Sequence, residues 1–270
     1  MKKVITKGIV WALVLALTLA LSAGALADGS LEAIQAKGYL ILGLDDSFPP
    51  MGFRNEDNEI VGFDIDLAKE VTARLGVELV LQPIDWAAKE MMLAAGDIDC
   101  IWNGMSRTPS REEEMTLSID YMNNEIVLLV NNPAFSAKED LAGKIVAVQS
   151  GSYAGDVLDY EEYADFKASL KDVRAYPDYL MAIMDLQNGN VDAIAIDLVV
   201  ANFRIASLGD ASLFTIDNLA DDLYCIGFRK ADVALCDAVN QALKSMAADG
   251  TLDAISTAWF GSNISLVQAE

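Results

Sequence analysis

Two stretches of this chain, 93 positions apart, carry one pattern: Leu93-Ala-Ala-Gly-Asp-Ile-Asp-Cys-Ile and Leu186-Gln-Asn-Gly-Asn-Val-Asp-Ala-Ile. Each reads as the end of an amphipathic helix, a glycine where the helix stops, and a buried strand. In this register Gly96 pairs with Gly189, Asp99 with Asp192 and Ile101 with Ile194. A looser echo sets residues 38–44 against 143–149. A chain that repeats such a unit is expected to form two similar α/β halves.

The flanking pattern agrees. The first half predicts strands over 40–44, 77–81 and 98–102, with helices over 64–75, ended by Gly76, and 87–95. The second half predicts strands over 145–149, 173–176 and 191–196, with helices over 153–160 and 179–188. Alternating strands and helices imply a mostly parallel sheet in each half. A last strand over 224–228 and a helix over 232–248 follow the second half, so the chain must return to the first. Lobe 1 is therefore expected to hold residues 28–122 and 223–270, and lobe 2 residues 123–222. The chain would cross between them near 121–125 and 220–224.

Residues 1–27 are not expected to belong to the fold. Lys2, Lys3 and Lys7 precede an uncharged apolar run, and Ala25-Leu26-Ala27 supplies the small residues of a signal-peptidase site. The expected mature protein is exported, cleaved near Ala27 and periplasmic. No cysteine stands directly after the apolar run, so lipid attachment is not expected. Losing those three lysines leaves 16 of the 19 basic residues against 41 acidic ones, a net charge of −25. That balance disfavours nucleic acid and anionic membrane surfaces as partners. The chain contains no histidine, which removes His-based catalytic triads and the common zinc sites. No catalytic residue, metal or cofactor is expected. Cys100 reads as a buried strand residue, and a Cys225–Cys236 bridge is left open.

Four local features converge on the predicted carboxyl ends of strands, where open α/β sheets bind ligands. The loop Asp45-Asp46-Ser47-Phe48-Pro49-Pro50 offers a carboxylate and an aromatic face. Asp85-Trp86 places a second aromatic at a helix start. The segment 103–111 supplies Gly104, Ser106 and Arg111, with Thr108 or Ser110 able to cap the next helix. Arg111 stands in a first turn, where the helix dipole disfavours a cation, and its planar fork suits a carboxylate. Gln149-Ser150-Gly151-Ser152-Tyr153 runs from a strand into a helix whose free N–H groups can receive an anion. Asp197 ends a buried apolar strand, a position that either caps a helix or meets a cation.

Together these groups complement an α-amino acid. Arg111 and the Ser152 and Tyr153 amides would hold its carboxylate. Asp197, the Gly104 carbonyl and the Ser106 hydroxyl would hold its ammonium group. Phe48 and Trp86 would flank its side chain, with Asp45 at the polar end. The groups come from both lobes, so ligand is expected to favour closure.

At these residues the sequence resembles the family 3 solute-binding proteins of polar amino-acid ABC importers. The resemblance runs through 45–53, Val61-Gly-Phe-Asp-Ile-Asp-Leu-Ala, Gly96-Asp-Ile-Asp, 103–111, Asp120-Tyr121, Leu141-Ala-Gly-Lys-Ile-Val-Ala-Val-Gln-Ser-Gly, Val191-Asp-Ala-Ile-Ala-Ile-Asp and Trp259-Phe-Gly. It implies a type II periplasmic-binding fold, two α/β lobes joined by a two-strand hinge, and Venus-flytrap closure. It also implies a monomer that captures a free polar L-amino acid, of the glutamine, basic or cystine class, for a membrane ABC permease. Arg107, where the family has an apolar residue, and Tyr153, where it has a small or polar one, depart from the pattern. Two rivals remain: an exported dehydratase-type enzyme on the same fold, and a ligand-sensing module that feeds a receptor.

Overall fold

The computed structural model describes residues 28–209 and 212–269; the leader expected over residues 1–27 lies outside them. The first series of elements is α1 (Ser30–Lys37), β1 (Tyr39–Leu44), three short strands β2 (Ser47–Phe48), β3 (Gly52–Arg54) and β4 (Ile60–Val61), α2 (Phe63–Leu75), β5 (Glu78–Pro83), α3 (Lys89–Ala95), β6 (Cys100–Ser106), α4 (Pro109–Glu114) and β7 (Met115–Leu117). Strand β8 (Met122–Val130) leads to the second series: β9 (Ile145–Gln149), α5 (Tyr153–Val157), α6 (Ala164–Ser169), β10 (Asp172–Tyr176), α7 (Tyr179–Gln187), β11 (Ala193–Asp197) and α8 (Leu198–Leu208). The longest strand, β12 (Phe214–Arg229), returns to α9 (Val233–Asp249) and α10 (Thr251–Phe260).

The strands join in the order β10-β9-β11-β8-β12-β6-β1-β5, with β7 also on β12. Strand β1 runs parallel to β5 and β6, and β9 runs parallel to β10 and β11. The two parallel groups are therefore separate, and β8 and β12 link them antiparallel. Every residue of β6 and β11 is buried, the signature of strands covered on both faces. Their apolar runs leave no solvent side to alternate towards.

The repeat is structural as well as sequential. The Asp99 N–H donates to the Ile41 carbonyl at 2.8 Å, and Asp99 Oδ2 accepts the Ile41 N–H at 2.8 Å. The Asp192 N–H donates to the Ile145 carbonyl at 2.8 Å, and Asp192 Oδ2 accepts the Ile145 N–H at 2.9 Å. One aspartate thus ties the last strand of each unit to its first strand. The helix starts match too: Asp85 caps the Ala87 N–H, and Asp178 caps the Met181 N–H.

Several boundaries differ from the sequence expectation. The strand expected to stop at Trp102 continues to Ser106, because β12 pairs with its far end at Tyr224↔Ser106 and Cys225↔Met105. Only its end was expected of β12, over 224–228, since the polar stretch 217–222 masks the ladder with β8. The helix α8 was not expected, as its Leu-Val-Val start reads equally as strand. The helix expected over 153–160 ends at Val157, and a 3₁₀ turn over Glu161–Tyr163 follows. Cys100, Cys225 and Cys236 are all buried and free, so the open question of a Cys225–Cys236 bridge is answered with two separate thiols. No helix among the described residues is long and apolar enough to cross a membrane.

Candidate functional site

The carboxyl ends of β1, β5, β6, β9 and β11, with the segments that follow them, supply the residues singled out from the sequence. Asp45 follows β1 and is 7% exposed. Its Oδ1 accepts the Ser47 N–H and hydroxyl at 2.9 and 2.7 Å, and its Oδ2 accepts Gln149 Nε2 from the end of β9 at 2.7 Å. Burial raises the Asp45 carboxyl above its ordinary value, against those hydrogen bonds. Phe48 is also buried, with the Tyr179 ring 6.0 Å away at 36°.

Gly104 lies within β6 at φ +56, a left-handed angle that suits glycine. Its N–H donates to Asp64 Oδ2 at 2.7 Å, and Tyr121 Oη donates to the same oxygen at 3.0 Å. Burial pushes Asp64 up to about 7. Two residues on, the Ser106 carbonyl accepts Arg111 Nη1 at 2.7 Å. Thr108 is the residue that caps α4, accepting the Arg111 N–H at 3.2 Å. Arg111 itself is 6% exposed, with Glu90 at 3.8 Å and the Gly151 carbonyl at 3.5 Å from its guanidinium. It is therefore not a surface arginine paired in solvent. Arg107 is engaged elsewhere, binding Asp120 at 2.6 Å, Glu112 at 2.9 Å and the Ser118 carbonyl at 2.6 Å. These contacts tie the end of β6 to the segment entering β8.

Ser152 caps α5, its hydroxyl accepting the Gly155 N–H at 3.2 Å and donating to the Gln149 carbonyl at 2.9 Å. Tyr153 is half-buried, its ring 6.3 Å from Tyr160. Asp197 stands at the N-cap position of α8, yet its side chain makes no capping bond. Instead Oδ1 accepts Asn124 Nδ2 and Tyr224 Oη, both at 2.8 Å. Burial first, and Asp222 second, push Asp197 up to about 7.

Sequence reasoning missed Asn124, Gln149, Tyr179 and Asp222. Asp222 Oδ2 accepts Ser106 Oγ and Asn124 Nδ2, both at 2.9 Å. Asn124 and Asp222 face each other in the β8–β12 ladder, and both fall inside the segments expected to be crossings, where polar residues read as linker. Lys89 was also missed. It is 2% exposed, lies 5.0 Å over the Trp86 ring and donates to the Gly151 carbonyl at 2.8 Å. Burial, then Arg111, lower its ammonium below the ordinary value. Trp86 packs in a core cluster with Leu93, Ile101 and Met105, as Phe48 does in another, and the ring that lies against Phe48 is Tyr179.

One hydrogen-bonded chain therefore runs Arg111–Ser106–Asp222–Asn124–Asp197, with a buried cation at one end and a buried carboxylate at the other. Around it the two series touch directly, through Asp45–Gln149, Lys89–Gly151 and a 3.2 Å bond from Arg204 to the Ser47 carbonyl. Beside the chain, a cavity of about 550 Å³ lies between α8 and the Trp259-Phe260 end, and one of about 490 Å³ reaches Asn124 and Asp222.

A family model for bacterial extracellular solute-binding proteins, family 3, matches residues 40–262. The chain is 30% identical over 240 residues to the L-cystine-binding protein TcyJ of Escherichia coli, covering 88% of both chains. Among solved structures it is similar to Tv2483 bound to L-arginine, with a TM-score of 0.83, 30% identity and coverage of 90% of this chain and 98% of that one. It is also similar to an ABC uptake transporter substrate-binding protein from Streptococcus pneumoniae with bound histidine. There the TM-score is 0.80, the identity 34%, and the coverage 88% of this chain and 98% of the other.

Proposed function

Because the chain belongs to the bacterial extracellular solute-binding proteins of family 3, we propose that it captures a free polar L-α-amino acid outside the cytoplasm and hands it to a membrane ABC permease. The observation that carries this reading is the Arg111-to-Asp197 chain. A zwitterion needs a cation and an anion held apart at fixed spacing, each already removed from water, because an unpaired buried charge is costly. In this reading Arg111 and the Ser152 and Tyr153 amides take the carboxylate, and Asp197, the Gly104 carbonyl and Ser106 take the ammonium group. Phe48 and Trp86 are the aromatic walls, with Tyr179 behind Phe48.

The side-chain class is the basic, glutamine or cystine one. Asp45 supports it, since a ligand cation or amide can take the place of Gln149 on its buried Oδ2. The ligands of the similar proteins, cystine, arginine and histidine, support the same polar class. The protein acts as a single chain that closes about the paired segments 121–125 and 220–224, with 28–122 and 223–270 on one side and 123–222 on the other.

The test is a melting screen of the mature protein against the twenty common amino acids, ornithine, citrulline and cystine. A ligand at a hundredfold its Kd should stabilise by about 2.7 kcal/mol, and only a few polar amino acids should do so. A flat response across the panel would overturn the reading.

A further inference from the structure

Strand β12 brings a second carboxylate to the one assigned to the ligand's ammonium group. A single atom, Asn124 Nδ2, donates to Asp197 Oδ1 at 2.8 Å and to Asp222 Oδ2 at 2.9 Å. The two acceptor oxygens therefore lie no farther apart than the sum of those lengths. Both residues are only 5% exposed. Their surroundings come from several elements. Asp197 faces Tyr224 on β12 and Tyr179 on α7, with Asp45 acting on Tyr179 from beyond. Asp222 faces Ser106 on β6, its own neighbour's Leu223 N–H at 2.8 Å, Arg111 on α4 and Tyr153 on α5. Arg111, the cation that acts on Asp222, is itself engaged by the Ser106 carbonyl.

Two carboxylates one bridging amide apart, both out of water, resist being ionised together. Burial raises both, and the charge of Asp222 adds to the rise at Asp197. Ser106 closes the link to the ligand: the hydroxyl assigned to the ammonium group is the one that donates to Asp222.

We propose that Asp222 is the second carboxylate of the ammonium subsite, that it shares one proton with Asp197, and that the ligand's ammonium group takes that proton's place and expels it. This rests on the amino-acid reading above. The charges balance. The dyad with its shared proton carries one negative charge; after binding, both carboxylates are ionised around the –NH₃⁺ group, and one H⁺ has passed to the solvent. No covalent bond forms or breaks other than the O–H that is lost. The cavity of about 490 Å³ that reaches Asn124 and Asp222 gives the proton its way out, past Arg107, Glu125 and Asp221. A site with one ionised carboxylate would bind the same ligand without exchanging a proton.

The test is calorimetry on the mature protein, freed of retained ligand by unfolding and refolding. It is titrated with L-arginine, L-lysine, L-histidine, L-glutamine and L-cystine in phosphate, imidazole and Tris. Near pH 6.5 the observed heat should rise or fall in proportion to the buffer's ionisation enthalpy, with a slope approaching one proton released. Affinity should climb towards about tenfold per pH unit below the dyad's titration and level off above it, because the slope of log K against pH counts the protons released. In Asp222→Asn the proton release near pH 6.5 should fall and its pH profile should move to lower pH, because burial alone then raises Asp197, while saturable binding persists. Saturable wild-type binding with buffer-independent heat and a flat pH profile would overturn the dyad. If Asp222→Asn fails to fold, the wild-type buffer and pH series alone decides. Absence of binding by all five ligands overturns the amino-acid reading itself, and the dyad with it, so the two failures are distinguishable.

Discussion

Arg111 is held out of water by a carbonyl at 2.7 Å, with its nearest carboxylate, Glu90, at 3.8 Å. A guanidinium so placed has room on its fork for a bidentate anion. Arg111→Ala should therefore weaken binding by roughly 2–5 kcal/mol, since the ligand carboxylate would enter the site unpaired; unchanged calorimetric affinity would detach Arg111 from the ligand. Asp64 makes a different prediction, about stability. Its pKa is raised by burial to about 7, above the unfolded value, so the neutral carboxyl is the form that folding favours. The stability this group contributes is full below about pH 4 and is lost as pH rises through about 7. Asp64→Asn keeps an acceptor for Gly104 and Tyr121 and replaces an Oδ1 that has no partner among the described residues. At pH 8 the variant should be more stable by roughly 1–3 kcal/mol, after the cost of burying its amide N–H, and the gain should vanish towards pH 4. Denaturant titrations at both pH values measure it; equal wild-type and variant stability at pH 8 would mean that burial does not hold the Asp64 carboxyl above its unfolded value.

At the scale of the element, the repeat was legible, whereas the long β8–β12 ladder through the expected crossings was not. The pattern shared by 93–101 and 186–194 marked two units, and the Asp99 and Asp192 clamps on β1 and β9 are its physical content. Asp45, Ser106, Arg111, Ser152 and Asp197 were legible as buried polar groups because each stands next to an apolar strand or glycine turn. Asn124, Asp222 and Gln149 were not, because their partners are up to about a hundred residues away and polar residues in a suspected linker carry no local signal. Trp86 is buried in a core cluster under the Lys89 ammonium, and its place at a helix start does not announce that cation. The extension of β6 to Ser106 has its own consequence at Gly104. A Cβ there would lie 2.8 Å from Phe48 Cε1 and 3.0 Å from the Tyr224 ring. With φ at +56 as well, Gly104→Ala should destabilise by roughly 1–3 kcal/mol and displace two rings that border the site. Denaturant unfolding and calorimetry should both report a loss; wild-type values in both would show that β6 relaxes freely at this point.

At the scale of the whole molecule, two kinds of contact join the parallel groups of strands. The β8–β12 ladder runs through both, pairing Met122 with Tyr224 and Val130 with Phe214 at its ends. Its register shifts at Ile216/Asn218 and Asn218/Ala220 are places where the strand can bend without losing the whole ladder. The other contacts are made by side chains or single carbonyls, among them Asp45 with Gln149, Lys89 and Arg111 with Gly151, Arg204 with Ser47, and the Phe48–Tyr179 and Phe53–Phe203 ring pairs. Each hydrogen bond of this kind contributes about 1 kcal/mol net, a sum that one tightly bound amino acid can match or exceed. Ligand is therefore expected to shift the molecule between a form in which these contacts are broken and one in which they are made, as binding energy from groups on both sides favours closure. Small-angle scattering of refolded, ligand-free protein should give a larger radius of gyration than the same protein saturated with its amino acid. Hydrogen exchange should show the β8–β12 amides protected in both states, with protection gained at 150–155 on binding. An unchanged radius, or exchange that opens the ladder itself, would mean that the molecule does not close by bending at these two strands.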